Sequence, residues 1–238
     1  MYYRNEWKYL VTDGQLAILA GRLRAILPMD RHQTGEAYAI RSLYFDDADD
    51  GCMAENEAGV DDRRKYRLRL YNADPSRIQL EIKEKLHGKT HKAGCLVSAA
   101  ECRDIMDGRR PAIGAGTPAP KNLLSVAMAT RAMAPKVIVE YERTAFVNRS
   151  GNVRITFDRN ISAAGAVGEF LQPRLHLTPI LPAGVHVLEV KFDEFLPDYV
   201  AQALELGSLR QTAFSKYYLS RLALPGPLAE RVKGYEFQ

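Results

Sequence analysis

The run Arg63-Arg64-Lys65-Tyr66-Arg67-Leu68-Arg69-Leu70-Tyr71 carries a cation at every second position. Successive side chains of an extended strand point to opposite faces, so Arg63, Lys65, Arg67 and Arg69 share one face and Tyr66, Leu68 and Leu70 the other. Ile78 to Leu86 repeats the pattern, with Glu81, Lys83 and Lys85 on one side and Leu80 and Ile82 opposite. Glu-x-Lys recurs at Glu6-Trp7-Lys8, Glu81-Ile82-Lys83 and Glu189-Val190-Lys191. Arg154, Thr156 and Asp158 line a further strand whose reverse face holds Val153, Ile155 and Phe157.

A single charged face reads as a solvent face, because antiparallel sheets commonly have a wet side. Repetition changes that reading. Like charges directly across neighbouring strands cost stability unless an anion lies among them, and a cavity holding phosphate supplies one. Arginine grips phosphate oxygens with a planar fork, and lysine adds a compact charge. Mg2+ and Mn2+ prefer carboxylate oxygens and are shared with substrate phosphates, which makes Glu189, Glu81, Glu6 and Asp158 the candidate metal ligands. The chemistry expected is capture of a polyphosphate chain together with Mn2+ or Mg2+. Nucleic acid fits less well, since Tyr66 points away from the arginines and no stacking aromatics interleave with them.

The segments between these runs must position them. Tyr2 to Val11 alternates as a strand, and Thr12-Asp13 offers an N-cap to an amphipathic helix from Gln15 to Leu27 that Pro28 closes. Strands are expected at Ala37–Phe45, Arg63–Tyr71, Arg77–Leu86 and Lys92–Val97. Ser98 with Glu101 three residues on caps a helix to Met106, and Arg109 to Pro120 is a loop. A helix near Leu123–Met133 precedes strands at Lys136–Val147, Val153–Asn160 and Val185–Phe192. Helices near Tyr199–Leu206 and Ala213–Ala223 follow. This is an α+β chain, and a closed antiparallel eight-stranded β-barrel with flanking helices would leave no sheet edge bare. One domain over residues 1–238 is the economical reading.

With 238 residues and 46% apolar content the chain can build a sizeable core, and its net charge of +4 favours an anionic ligand. Cys52, Cys95 and Cys102 are odd in number and lack Cys-x-x-Cys spacing, which argues against a disulfide framework or a cysteine zinc site and suits a reducing cytosol. The N-terminal residues show no signal-peptide core, and no run approaches the roughly 18 apolar residues of a membrane span. Gly88-Lys89-Thr90 imitates the end of a P-loop, but Lys83 stands where its first glycine must fall. His87 and His91 flank an expected hairpin turn and do not form a metal pair on a helix. The acidic run Asp46, Asp47, Asp49, Asp50 reads as a solvated turn, and Tyr44, Phe45, Phe214, Tyr217 and Tyr218 as core. Arg41, in an apolar strand, is either an ion-pair partner or a cavity residue.

In order, the chain reads E-W-K-Y at 6–9, I-R-S-L-Y-F-D at 40–46, R-K-Y-R-L-R-L-Y at 64–71 and L-E-I-K-E-K at 80–85. Y-E-R-T-A-F at 141–146, R-I-T-F-D at 154–158, L-E-V-K-F at 188–192 and F-S-K-Y at 214–217 follow. Together these resemble the VTC domain, the polyphosphate polymerase branch of the CYTH-like triphosphate tunnel metalloenzyme superfamily. The resemblance implies a closed tunnel in which Lys8, Arg67, Arg69, Lys83, Arg143, Arg154, Lys191 and Lys216 hold phosphate during catalysis. Arg64, Lys65, Lys85 and Lys92 would be secondary phosphate contacts, and Glu189 the main metal ligand. Glu140 and Glu142 have the opposite parity to Arg143, so either a bulge intervenes or only Arg143's face points inward.

The implied activity is ATP-dependent and metal-dependent. The terminal phosphate of ATP passes to a growing inorganic polyphosphate, or to pyrophosphate, in the cytoplasm. Two alternatives remain: a tunnel-type triphosphatase, whose relatives favour Glu-x-Glu where this chain has Glu6-Trp7-Lys8, and a non-catalytic module binding polyphosphate or inositol polyphosphate. Eukaryotic relatives add a phosphate-sensing domain and membrane helices. Neither is expected here, so coupling to export would require a membrane partner, and the oligomeric state is left open.

Overall fold

The computed structural model describes residues 4–33, 35–86, 89–205, 207 and 209–225. Tyr2, His87, Gly88 and Leu206, which bound or join expected elements, lie outside them. Nine strands are described: β1 (Asn5–Thr12), β2 (Tyr38–Asp46), β3 (Arg63–Tyr71), β4 (Asp74–Leu86), β5 (Lys89–Val97), β6 (Ala134–Asn148), β7 (Val153–Ala164), β8 (Thr178–Pro179) and β9 (Val185–Phe192). Six α-helices accompany them: α1 (Asp13–Ile26), α2 (Gly51–Glu57), α3 (Ala99–Met106), α4 (Ala119–Thr130), α5 (Asp198–Leu204) and α6 (Lys216–Ala223).

The strands form a large antiparallel sheet in the order β1-β9-β7-β6-β2-β3-β4-β5, with β8 added to β7. Closure into a barrel needs a last ladder between the terminal strands, and among the described residues β1 and β5 share none. The closed eight-stranded barrel expected from the sequence is therefore corrected to a sheet with two ends. The outer edge of β1 is occupied in another way: Tyr9 bridges Gln211, the Thr212 amide donates to the Lys8 carbonyl at 2.8 Å, and Lys8 Nζ donates to the Phe214 carbonyl at 3.0 Å. Backbone groups that a closing strand would need are spent on this extended segment. No described helix is long and apolar enough to cross a membrane.

The chain groups into two compact units: residues 1–39, 141–161 and 181–215 form the first, and 40–140, 162–180 and 216–238 the second. In the first unit Thr12 and Gln15 form the expected capping box, with the Gln15 amide donating to Thr12 Oγ1 and the Thr12 amide to Gln15 Oε1. Leu16, Leu19, Ala20 and Leu23 of α1 fall at helical spacing and pack with Val11, Phe146, Ile155, Phe157, Leu188 and Val190. Burying each of the larger side chains among these stabilises the fold by about 1.5–3 kcal/mol.

In the second unit the even-numbered face of β3 and β4 is buried through Tyr66, Leu68, Leu70, Ile78, Leu80 and Ile82. Helices α3 and α4 lie against β4. A tight turn at Asn72 and Ala73, both with positive φ of 51° and 54°, joins β3 to β4 and helps fix their register. Helix α2 follows the acidic run, which is a solvated turn only in part: Asp49 lies exposed in a turn, but Asp46 is fully buried and accepts the amides of Asp47, Cys52 and Met53 at 2.8, 2.8 and 3.1 Å. It thereby satisfies donors that the start of a helix leaves unpaired. A Cβ at residue 51 would meet Asp47 Oδ2 at 2.5 Å, so a larger residue there would have to displace the Asp47 carboxylate.

Candidate functional site

Reciprocal register builds the charged face of the first unit. Antiparallel pairing of β1 with β9 sets Glu6 opposite Lys191 and Lys8 opposite Glu189, and pairing of β9 with β7 sets Lys191 opposite Arg154 and Glu189 opposite Thr156. Each Glu-x-Lys motif thus answers the other with opposite charge. The side chains join in an alternating series. Lys8 Nζ lies 2.8 Å from Glu6, and Lys191 Nζ stands between Glu6 Oε2 at 3.9 Å and Glu189 Oε1 at 3.3 Å. Arg143 Nη2 is 3.5 Å from Glu189, and its Nε and Nη2 donate to the two oxygens of Asp158 at 2.6 and 2.7 Å.

Asp158 is wholly buried and β6 delivers Arg143 to it, so Arg143 faces this cluster. Glu142 turns to Asn160 on another side, and Glu140 pairs with Arg41. Arg41 also donates to the carbonyls of Phe170, Gln172 and Pro173, which makes it a structural ion-pair partner. Burial lowers the pKa of Lys191, although Glu189 and Glu6 pull the other way. Burial opposes the charge on Arg143 as well, yet Asp158 and its other partners raise its pKa well above the usual value. Arg154 Nη2 reaches Asp30 at 2.9 Å and Tyr38 Oη at 3.1 Å. Arg154 Nε and Thr156 Oγ1 are buried without a hydrogen-bond partner among the described residues.

The second unit carries a very different balance of charge. Register aligns Tyr44, Arg67, Glu81 and Gly94 across β2, β3, β4 and β5, and aligns Lys65, Lys83 and Lys92 in the adjacent row. Arg63, Lys65, Arg67, Arg69, Lys83, Lys85 and Lys92 thus share a face with Glu81, which is 2% exposed. Arg67 Nε and Nη2 hold Glu81 at 2.7 and 2.6 Å, Arg69 lies 3.6 Å away, and Lys92 completes the cluster. Lys65 donates to Asn56 at 2.6 Å, and Lys85 lies 3.6 Å from Asp61. Arg64 sits on the opposite face, paired with Glu84 at 2.7 Å. Lys216 opens α6 and is close enough to Tyr44 to favour its ionisation.

Burial alone would raise the Glu81 pKa, but Arg67, Arg69 and Lys92 together hold it down to about 2. Because the folded value lies below the ordinary carboxylate value, this contribution is present above about pH 4 and is lost as pH falls toward 2. The shift corresponds to about 3 kcal/mol. Replacing Glu81 by Gln removes that contribution, so the stability gap between wild type and variant, measured by urea unfolding, should shrink as pH drops from 5 to 2.5. A gap that stays constant over this range would show that Glu81 does not titrate with unfolding.

Of the sequence-derived residues, one unit gathers Glu6, Lys8, Arg143, Arg154, Asp158, Glu189 and Lys191. The other gathers Arg67, Arg69, Glu81 and Lys92, with Lys65, Lys83 and Lys85 in neighbouring register. Thr156 and Tyr44 were not singled out as ligands. Thr156 shares the parity of Arg154 and Asp158 and could have been found that way, whereas nothing in its own strand marks Tyr44. Among the described residues no three His, Cys, Asp or Glu side chains converge as a metal cage.

The VTC domain family matches residues 3–224. No match was found among curated proteins. Among solved structures, a Bacillus halodurans protein described as a candidate adenylate cyclase is 10% identical over 99% of this chain and 98% of its own, with a TM-score of 0.49. The PH1819 protein of Pyrococcus horikoshii OT3 is 13% identical over 95% and 96%, with a TM-score of 0.48.

Proposed function

Since the chain belongs to the VTC domain family, we propose that it is a polyphosphate polymerase that moves the terminal phosphate of ATP onto a growing inorganic polyphosphate. The observation that carries this reading is the face on which the cations of β3, β4 and β5, from Arg63 to Lys92, surround Glu81. A sheet face so unbalanced calls for a polyanion. The row Lys65, Lys83 and Lys92 suits a phosphate chain running across the strands, and the forks of Arg67 and Arg69 suit its oxygens.

In the transfer, the bond from the γ-phosphorus to the β–γ bridging oxygen breaks. A terminal oxygen of the acceptor chain bonds to that phosphorus, and ADP leaves with the bridging oxygen. The protein needs no covalent nucleophile, because positioning and charge neutralisation supply most of the rate. Arg143, locked by Asp158, would present a fixed positive charge to the transferring group. Within the same unit, Lys8, Arg154 and Lys191 would balance charge as it shifts onto the leaving oxygens.

A divalent cation fits the first unit. Mg2+ and Mn2+ are held by one or two carboxylates with substrate oxygens completing the shell. Glu189 and Glu6 already flank a cation, the ammonium of Lys191, whose pKa burial lowers, and the orphaned Thr156 hydroxyl lies across from Glu189. Glu189 would be the main ligand and Glu6 the second, while Asp158 and Glu81 serve to fix arginines. When bound, the metal would supply neutralisation of phosphoryl charge.

Incubation with ATP and Mn2+, followed by separation of products, tests the reading. Long polyphosphate plus ADP is expected. Orthophosphate without polymer would replace the polymerase by a triphosphatase, and unchanged ATP would replace it by a binding module.

A further inference from the structure

Resting on the polyanion reading of the β3–β5 face, we propose that Tyr44 is a specificity-determining ligand of the phosphate chain, its phenol donating to a phosphoryl oxygen held by Arg67 and Arg69. Tyr44 is 6% exposed, as a core residue would be, but it does not face the apolar side of the sheet. Register places it beside Arg67, whose Nη1 donates to the phenol oxygen at 3.0 Å and whose guanidinium carbon lies 5.8 Å from the ring centroid. On the same face Arg69 Nε donates to Ser42 Oγ at 3.0 Å, which orients the second guanidinium. The Tyr217 ring, 5.4 Å away, packs against the Tyr44 ring.

The phenol oxygen is therefore used as an acceptor, while its own hydrogen meets no acceptor among the described residues. A buried donor left unsatisfied is costly, so a partner arriving with the ligand would remove the cost. That partner must be anionic. Burial disfavours ionisation of Tyr44, yet Arg67, Arg69 and Lys216 overcome it and lower the phenol's pKa, so the hydroxyl stands in a positive field. A phosphoryl oxygen supplies both the negative charge that the guanidinium forks attract and the lone pair that the phenol needs. A neutral acceptor supplies only the lone pair. Because the phenol must keep its proton to donate, raising the pH through its ionisation should weaken binding, and bound phosphate should hold the proton on.

The test is Tyr44→Phe, which keeps the ring against Arg67 and Tyr217 and removes only the hydroxyl. Tripolyphosphate is titrated calorimetrically into wild type and variant, and tyrosine ionisation is followed by ultraviolet difference absorbance with and without it. We expect roughly tenfold weaker binding by the variant. We also expect one tyrosine of the wild type to ionise ahead of the others, to be absent from the variant, and to shift to higher pH when tripolyphosphate saturates the protein. The ultraviolet titration is read on the wild type, so it stands even if the variant folds poorly. Wild type that fails to bind tripolyphosphate overturns the polyanion reading and this inference with it. Wild type that binds while its tyrosine titration is unmoved, or a folded variant that binds equally well, overturns the inference alone.

Discussion

Glu189→Gln should lower ATP-dependent phosphate transfer by roughly 100- to 1,000-fold, the scale seen when one preorganised charged or polar group is removed from a transition-state environment. Tripolyphosphate binding should be little changed. The substitution is isosteric, so the loss is one of charge. Glu189 is buried between Arg143 Nη2 and Lys191 Nζ. Arg143 keeps its two bonds to Asp158, so the fold retains its main buried pair. Lys191 loses the stronger of the two carboxylates that sustain its charge, and its pKa, already lowered by burial, should fall further. The carboxylate pair offered to a divalent cation is reduced to Glu6, so the half-saturating Mn2+ concentration should rise together with the loss of turnover. Assays across a metal titration, with calorimetry on the same samples, separate the two effects. Unchanged turnover at every metal concentration would remove Glu189 from the reaction, and a parallel loss of tripolyphosphate affinity would make it a phosphate-site residue instead.

Much of this arrangement was legible in the sequence because alternation in a strand is a strict rule. Arg67, Arg69, Glu81 and Lys83 share a face because their positions have one parity, and no tertiary effect can separate them without a bulge. The capping boxes at Thr12 and Ser98 were legible for a similar reason, since residue type and a spacing of three are sufficient signals. Register was not legible. Nothing in Glu6-Trp7-Lys8 or Glu189-Val190-Lys191 alone says that the two motifs lie antiparallel with unlike charges opposed, yet that pairing turns two charged faces into one alternating series.

What escaped the sequence depends on which backbone groups go unsatisfied. Helix α2 has seven residues, too few to show a hydrophobic period, and it is anchored by Asp46 from the preceding strand. Acidic residues in a run look solvated until a helix start needs an acceptor. The buried Tyr217 hydroxyl also donates to Asp46, and Arg221 Nη2 lies 2.8 Å from Asp50, so these carboxylates hold α6 as well as α2. The ladder that would close the barrel is not found among the described residues, and the edge of β1 is met by another part of the chain. The covering segment, residues 211–214, has no strand signal of its own. Tyr44 was hidden because an aromatic residue next to Phe45 looks apolar, and only the neighbouring strand reveals the guanidinium above its ring.

The second large effect concerns stability. Asp158→Ala should destabilise the protein by about 3–5 kcal/mol, the cost of stripping one partner from a buried ion pair. At this chain length that is a fall of roughly 10 °C in Tm. The carboxylate is wholly buried, and it accepts from both Nε and Nη2 of Arg143, itself buried. Arginine cannot escape by shedding its proton, and the field of Asp158 raises the Arg143 pKa still further. The variant must therefore bury an under-compensated guanidinium, with Glu189 at 3.5 Å the carboxylate left to it. Replacing both partners, as Arg143→Met with Asp158→Leu, removes the pair and its desolvation cost together. The double variant should lie closer to wild type in stability than Asp158→Ala does, while losing the transfer activity that needs Arg143. Urea unfolding of wild type, Arg143→Met, Asp158→Leu and the double variant gives the coupling energy directly. An Asp158→Ala protein within about 1 kcal/mol of wild type would mean that Arg143 finds another partner, and the reading of Asp158 as the residue that locks it would fall.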